Sequence, residues 1–316
     1  RILGMSGDGF GHEVYPKLLA YHQWLYRERD PKHEGLVSII HPWESGLDNS
    51  PRWIDTLKKV IPPEKPIYQR KDIVHVSSEE RPTDDEYDRF VYLMDILLKY
   101  KHDQKNILEH TPFVIQDVFF NSILHKANEC LREIAFKLGR PKREIDMITE
   151  WLKTTRSAFE AKLWSTNLNM HCDYDLVNNN SIFENSVAIF APLYAGLVGE
   201  HEAELIVRHL LDANEYAPDY VFTKYYVPTT SKNNIYYDPR RYWLGPIWVN
   251  TNWIVIQGLN RYGFTKLAKR IREDTIGLFK REGACEYFDP STGKGYGTKK
   301  FSWSAALVID LLSDKF

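Results

Sequence analysis

Apolar residues recur at helical spacing along most of the chain, and strand-like alternation is scarce. Over residues 12–30, Tyr15, Leu18, Leu19, His22, Leu25 and Tyr26 fall on one face, and Pro31 ends the run. A helix is predicted over residues 51–60, opened by Pro51 at a first helical position where no N–H is needed. Thr83-Asp84-Asp85-Glu86 reads as a capping box, with Phe90, Leu93, Met94, Leu97 and Leu98 forming the apolar stripe behind it. Residues 117–138 form a helix stopped by Gly139 and Pro141, and its partner covers 141–164; so short a break allows only a helical hairpin. A second box, Ser181-Ile182-Phe183-Glu184, predicts a helix over 181–198, and 200–211 follows it. Residues 246–260, 265–281 and 301–312 bring the total to about ten helices.

The connections are as informative as the helices. Residues 61–78 contain Pro62, Pro63 and Pro66 and read as irregular, and 167–180 as a short β-ribbon or loop. Residues 214–241 are a long polar, tyrosine-rich excursion of the kind that usually carries function, and 283–300 are a glycine-containing loop. There is no βαβ alternation, phosphate-binding glycine loop or strict repeat. The expectation is one mostly helical domain over residues 1–316, built as a bundle or a ring of helical hairpins. Long loops between helix pairs favour the ring, where they gather over one end.

Composition narrows the function. A hydrophobic content of 43% supports a sizeable core, and a net charge of −2 with no basic stripe argues against nucleic acid as a partner. Cys130, Cys172 and Cys285 are widely spaced and odd in number, matching neither a disulfide framework nor a zinc site; they point to a reducing, cytoplasmic setting. No apolar run approaches the roughly 18 residues of a membrane span, and no secretory leader is visible. Aromatic residues reach 14%, and part of them is expected to line a cleft.

Three loops combine aromatics with acids: residues 41–53, 236–250 and 285–293. In the first, Asp48 lies beside Trp43 and Gly46 at a loop–helix junction, and in the third Glu286 sits in a similar setting. Cleaving a glycosidic bond takes two carboxyl groups on opposite sides of the anomeric carbon, one giving a proton to the leaving oxygen and one activating water. Asp48 and Glu286 are the natural pair, with a helix N-cap for Asp48 and an ion-pair partner for Glu286 as competing readings. His171-Cys172-Asp173 with Asp175 lacks a second ligand cluster and reads as a polar turn rather than a metal site. Cys285 reads as a small buried residue, and the serines near His41 and His201 carry no nucleophile-elbow pattern. No metal and no cofactor are expected.

The segment His41-Pro42-Trp43-Glu44-Ser45-Gly46-Leu47-Asp48-Asn49-Ser50-Pro51-Arg52-Trp53 closely resembles the signature loop of glycoside hydrolase family 63, and in particular its bacterial mannosylglycerate and glucosylglycerate hydrolases. The likeness continues through Tyr15-Pro16-Lys17-Leu18, Tyr242-Trp243-Leu244-Gly245-Pro246-Ile247-Trp248-Val249-Asn250, Glu286-Tyr287-Phe288-Asp289-Pro290 and Phe301-Ser302-Trp303-Ser304-Ala305-Ala306-Leu307, nearly the whole chain. The resemblance implies an all-α (α/α)6 barrel and inverting hydrolysis of the α-glycosidic bond of a small charged glycoside such as glucosylglycerate or mannosylglycerate. It makes Asp48 the general acid and Glu286 the general base. Trp43, Gly46, Tyr242, Trp243 and Trp248 match sugar-pocket positions, and Arg81 with Tyr87 matches the pair that holds a glycerate carboxylate. A guanidinium fork suits that task, since it meets a carboxylate bidentately.

Members of the family carry a further helical segment before the point where this chain opens on Arg1-Ile2-Leu3-Gly4, so the barrel is expected to be N-terminally incomplete. Two alternatives follow: an α-glucosidase acting on neutral oligosaccharides, and a truncated, inactive sugar-binding fragment. The expected partner is a small carbohydrate substrate, with no nucleic acid and no membrane, and association into a homo-oligomer is left open.

Overall fold

A computed structural model describes residues 2–221 and 223–313. Eleven α-helices dominate the described residues. They are α1 (Ile2–Glu28), α2 (Pro51–Lys58), α3 (Asp84–Lys99), α4 (Gln104–His110), α5 (Val118–Lys137), α6 (Lys142–Ala158), α7 (Ala191–Ala195), α8 (Glu200–Leu211), α9 (Val249–Arg261), α10 (Thr265–Glu282) and α11 (Ser302–Ser313). The expected hairpin forms from α5 and α6, and α9 with α10 makes another. The architecture is the all-α, (α/α)6-type barrel expected from the sequence.

Local chemistry explains the helix ends that were foreseen. Thr83 caps α3: its hydroxyl accepts from Glu86 N and the Glu86 carboxylate accepts from Thr83 N at 2.6 Å. Pro51 stands at the first position of α2, after Ser50. Apolar stripes then lock the helices together. Phe90 and Leu93 of α3 pack with Trp53 and Leu57 of α2, while Leu131 and Ala135 of α5 pack with Ile148 and Leu152 of α6. The largest apolar cluster joins Phe190 and Leu193 to Val255, Ile256 and Leu259 of α9. At Gly258 an added Cβ would come within 2.8 Å of Leu193 Cβ and Tyr194 N, so this close approach of α7 to α9 requires glycine.

The strands are short ribbons between helices: β1 (Ile115–Gln116), β2 (Trp164–Ser165), β3 (Met170–His171), β4 (Asp173–Asp175), β5 (Asn180–Ile182), β6 (Cys285–Phe288) and β7 (Gly295–Lys299). β1, β4 and β5 form one antiparallel sheet, and β2 pairs with β3. The expected ribbon after residue 167 is therefore present, and His171, Asp173 and Asp175 lie on strands rather than in a turn.

Several expectations are corrected. Ser181 does not cap a helix: it pairs with Tyr174 in the β-sheet, Glu184 accepts from Asn234 Nδ2 at 2.6 Å, and Ser186 caps a 3-10 turn ahead of α7. The helix expected from residue 246 starts at Val249, because Ile247 exchanges backbone hydrogen bonds with Phe288 and so is held extended. Residues 283–300 are not a plain loop but the β6–β7 hairpin. The short helix α4, capped by Asp103, was not anticipated.

A charged cluster is buried where α2, α5 and β4 meet. Arg52 of α2 donates to Asp117, which caps α5, at 2.8 Å, and to Asp173 of β4 at 3.1 Å. Its Nε donates to Ser50 at 3.3 Å. Arg52 thus fastens the end of the 41–53 loop to two other elements, at the cost of desolvating three charges.

Candidate active site

His41 opens the signature loop and fixes its shape. Its Nδ1 accepts from Trp43 N at 3.0 Å, which leaves Nε2 protonated to donate to Phe90 O at 2.9 Å. Burial pushes this imidazole down to about 4, so it is neutral. The 3-10 turn Pro42–Ser45 ends at Gly46, whose φ of 69° explains the glycine. Of the two acids in the loop, Glu44 is occupied structurally: Arg29 holds it through two hydrogen bonds of 2.8 and 3.0 Å. Asp48 is not a helix cap. Its Oδ2 accepts from the Tyr242 hydroxyl at 3.0 Å, and it lines a cavity. Burial raises the Asp48 carboxyl from 3.8 to about 6, against the opposing pull of the Tyr242 hydroxyl and Arg81.

The cavity measures about 190 Å³ and is walled by Trp43, Asp48, Asp72, Arg81, Pro82, Tyr87 and Tyr242. Five of the residues singled out in the sequence therefore meet there, from three separate stretches of chain. Trp43 keeps 38% of its surface exposed, and its ring lies 6.1 Å from that of Tyr87. Gly46 shapes the loop without standing on the wall.

Tyr242 is held in place from both sides. Its own φ is 43°, a conformation uncommon for a bulky residue. Its carbonyl accepts from Trp248 Nε1 at 2.9 Å, and the next amide, Trp243 N, donates to the buried Asn49 side chain at 3.1 Å. Trp243 and Trp248 stack on each other at 3.7 Å and are 2% exposed. They stand one layer behind the wall and fix Tyr242 rather than face the cavity.

Glu286 sits on β6, 5% exposed, and is not on the cavity wall. Arg81 covers it, giving Nη1–Oε1 2.9 Å and Nη2–Oε2 2.6 Å, while its guanidinium carbon lies 4.7 Å from the centre of the Tyr242 ring. Burial alone would lower the Arg81 guanidinium, but the Glu286 carboxylate outweighs it and holds it above its ordinary value. Thr298 N on β7 adds a third donor to Glu286 at Oε2, 2.8 Å away. The neighbouring Gly297, at φ 67°, is obligatory, since a Cβ there would lie 2.6 Å from Glu286 Oε2. The guanidinium expected to be open for a substrate carboxylate is thus engaged within the protein.

Sequence reasoning missed Asp72 and Pro82 on the wall, and the supports behind it. Arg70 grips Asp72 through two hydrogen bonds of 3.1 and 2.6 Å and lies 4.5 Å over the Tyr87 ring, on which Tyr68 also stacks. The proline-rich 61–78 stretch carries no periodicity to announce these contacts, although Arg70-Lys71-Asp72 beside Tyr68 is a visible charged aromatic cluster.

A helical barrel with Asp48 on an aromatic cavity and Glu286 behind its wall is the arrangement expected of a glycoside hydrolase. Residues 3–304 match the family described as "Mannosylglycerate hydrolase MGH1-like glycoside hydrolase domain", and the chain belongs to this branch of glycoside hydrolase family 63. It is 41% identical over 296 residues to the mannosylglycerate hydrolase of Thermus thermophilus, covering 94% of this chain and 69% of that protein. The glucosylglycerate hydrolase of Mycolicibacterium hassiacum is 30% identical over 308 residues, 96% of this chain and 68% of that one. A crystal structure of the Thermus thermophilus enzyme in complex with Tris and D-glycerate matches with a TM-score of 0.90 at 38% identity, covering 96% of this chain and 71% of that one. Among the described residues no helix is long and apolar enough to cross a membrane.

Proposed function

We propose that the protein hydrolyses the α-glycosidic bond of a small carboxylate-bearing glycoside, glucosylglycerate or mannosylglycerate, with inversion. Asp48 is the general acid and Glu286 the general base. The observation that carries this reading is the contrast between the two carboxyl groups: Asp48 opens on the cavity, whereas Glu286 is engaged by Arg81 and Thr298. Asp48, raised to about 6 and open to the cavity, can arrive protonated and give its proton to the leaving glycerate oxygen. Glu286, oriented by the Arg81 guanidinium and by Thr298 N, is assigned the proton from water on the opposite face of the sugar. Trp43, Tyr87 and Tyr242 supply flat apolar faces for the ring and its aglycone.

Residues 1–316 are read as one catalytic unit, supported by the Arg81–Glu286 pair that ties the two halves of the chain together. A cytoplasmic setting is supported by the three free cysteines, Cys130, Cys172 and Cys285. A neutral oligosaccharide as substrate is favoured by one observation, that both terminal nitrogens of Arg81 are already taken.

Hydrolysis of mannosylglycerate, glucosylglycerate and a neutral α-disaccharide by the wild type, Asp48→Asn, Glu286→Gln and Arg81→Ala separates these readings. The charged glycosides should be cleaved by the wild type only, with either carboxyl variant lowering turnover by several orders of magnitude. Equal effects of Arg81→Ala on charged and neutral substrates would remove the charged-aglycone reading. Near-wild-type rates in a carboxyl variant would remove the assignment of roles, and binding without hydrolysis by the wild type would leave a sugar-binding fragment.

A further inference from the structure

We propose that Arg81 is a clamp shared between Glu286 and the substrate, so that the substrate's own carboxylate unmasks the catalytic base. This rests on the reading of Glu286 as the base. Among the residues walling the cavity, Arg81 is the one basic side chain, so a carboxylate entering there has this guanidinium to meet. Glu286 lies behind Arg81, off the wall, and both of its oxygens are engaged. A carboxylate bonded in this way is covered as a base, because its lone pairs are committed to other donors.

The donors are divided unevenly between the two oxygens. Oε2 accepts from both Arg81 Nη2 and Thr298 N, whereas among the described residues Oε1 accepts from Arg81 Nη1 alone. If the guanidinium turns toward a second carboxylate, Oε2 stays anchored by Thr298 N and Oε1 is freed. Oε1 is therefore the atom that takes the proton from water, as the water oxygen bonds to the anomeric carbon and the glycosidic bond breaks toward Asp48. Arg81 also has donor capacity in reserve: its Nε is buried with no hydrogen-bond partner, although the residue is 94% buried by its 6% exposure. A buried unpaired donor is destabilising, so a carboxylate that reaches it gains more than it would from an already satisfied site. With Asp48 protonated, the Arg81–Glu286 pair is neutral, and an incoming carboxylate makes two anions compete for one cation. The device ties turnover to the charge of the aglycone: a neutral glycoside can occupy the cavity yet leave the base covered.

The test uses the α-glycosyl fluoride of whichever sugar the enzyme cleaves. Fluoride needs no proton from Asp48 and leaves the aglycone position vacant. Addition of D-glycerate should accelerate fluoride release at least several-fold and saturably, through kcat, while glycerol at the same concentration should not. Arg81→Gln, checked for folding by circular dichroism, should no longer respond to D-glycerate. If D-glycerate only inhibits or does nothing while the glycerate glycoside is turned over, the shared clamp is wrong and the proposed function stands. Activation that persists in Arg81→Gln would equally overturn it. If the glycerate glycoside is not hydrolysed at all, the reading of the site falls and takes the clamp with it.

Discussion

Replacing Asp48 with asparagine should make the protein more stable at alkaline pH. The Asp48 carboxyl is raised from 3.8 to about 6 in the folded protein, chiefly by burial. A folded-state value above the unfolded one means the native state binds the proton more tightly. The resulting stabilisation is complete below the unfolded value and is lost as pH rises through about 6. Two units at about 1.4 kcal/mol each give at most about 3 kcal/mol of strain in the ionised state. At pH 4.5 about 1 kcal/mol of this is already present, because the unfolded chain has largely ionised there. Comparing Asp48→Asn with the wild type at pH 4.5 and again at pH 8 cancels any pH-independent cost of the substitution. The change in their stability difference should be about 2 kcal/mol in favour of the variant, or about 3 °C in Tm for a chain of this length. Thermal or urea denaturation at the two pH values measures it. A difference that does not change with pH would show that burial does not hold the proton on Asp48, and the acid role would lose its physical basis.

Other outcomes follow from the same geometry. Tyr242→Phe removes the hydrogen bond that opposes the rise of Asp48; such a bond to a charged group is worth about 1.5–3 kcal/mol. The alkaline limb of kcat/KM against pH should therefore move up by about one to two units, and an unmoved limb contradicts the contact at 3.0 Å. Gly297→Ala drives a Cβ against Glu286 Oε2 at a positive φ, so kcat should fall at least tenfold with a stability loss above about 1 kcal/mol; unchanged kinetics would refute the close approach. Arg52→Met strands Asp117 and Asp173 without their cation and should cost about 3–5 kcal/mol in urea denaturation. Adding Asp173→Asn should return part of that loss, and no recovery would mean the two charges are not coupled.

What the sequence made legible was chemistry that acts over a few residues. The Thr83–Glu86 box, Pro51 at the head of α2 and the α5–α6 hairpin all depend on neighbours within one or two turns. Ser181–Glu184 has the same letters as a capping box, yet its backbone is claimed by β4, and that pairing partner is set by the tertiary fold. Ile247 is pulled out of α9 by Phe288 for the same reason. At the site, Asp48, Arg81, Tyr87, Tyr242 and Glu286 could be named from the resemblance, but not their partners. That Arg81 would hold Glu286, or that Asn49 would catch Trp243 N, depends on loops more than a hundred residues apart in the chain meeting. Trp243 and Trp248 illustrate the limit of composition: adjacent aromatics suggest a sugar-facing wall, whereas burial by α9 and the hairpin turns them into a support for Tyr242. The Arg70–Asp72 brace had no periodic pattern around it to read.

The central claim is a single-displacement reaction in which Asp48 protonates the leaving oxygen while Glu286 activates water on the far side. The stereochemistry of the first-formed product tests it most directly. Proton NMR recorded during the first minutes of hydrolysis of the α-linked glycerate glycoside, before the free sugar mutarotates, should show the β-anomer accumulating first, and the signal should be absent with Glu286→Gln. Initial release of the α-anomer would contradict the account, because it would require a covalent glycosyl-enzyme and a second carboxyl group acting as nucleophile.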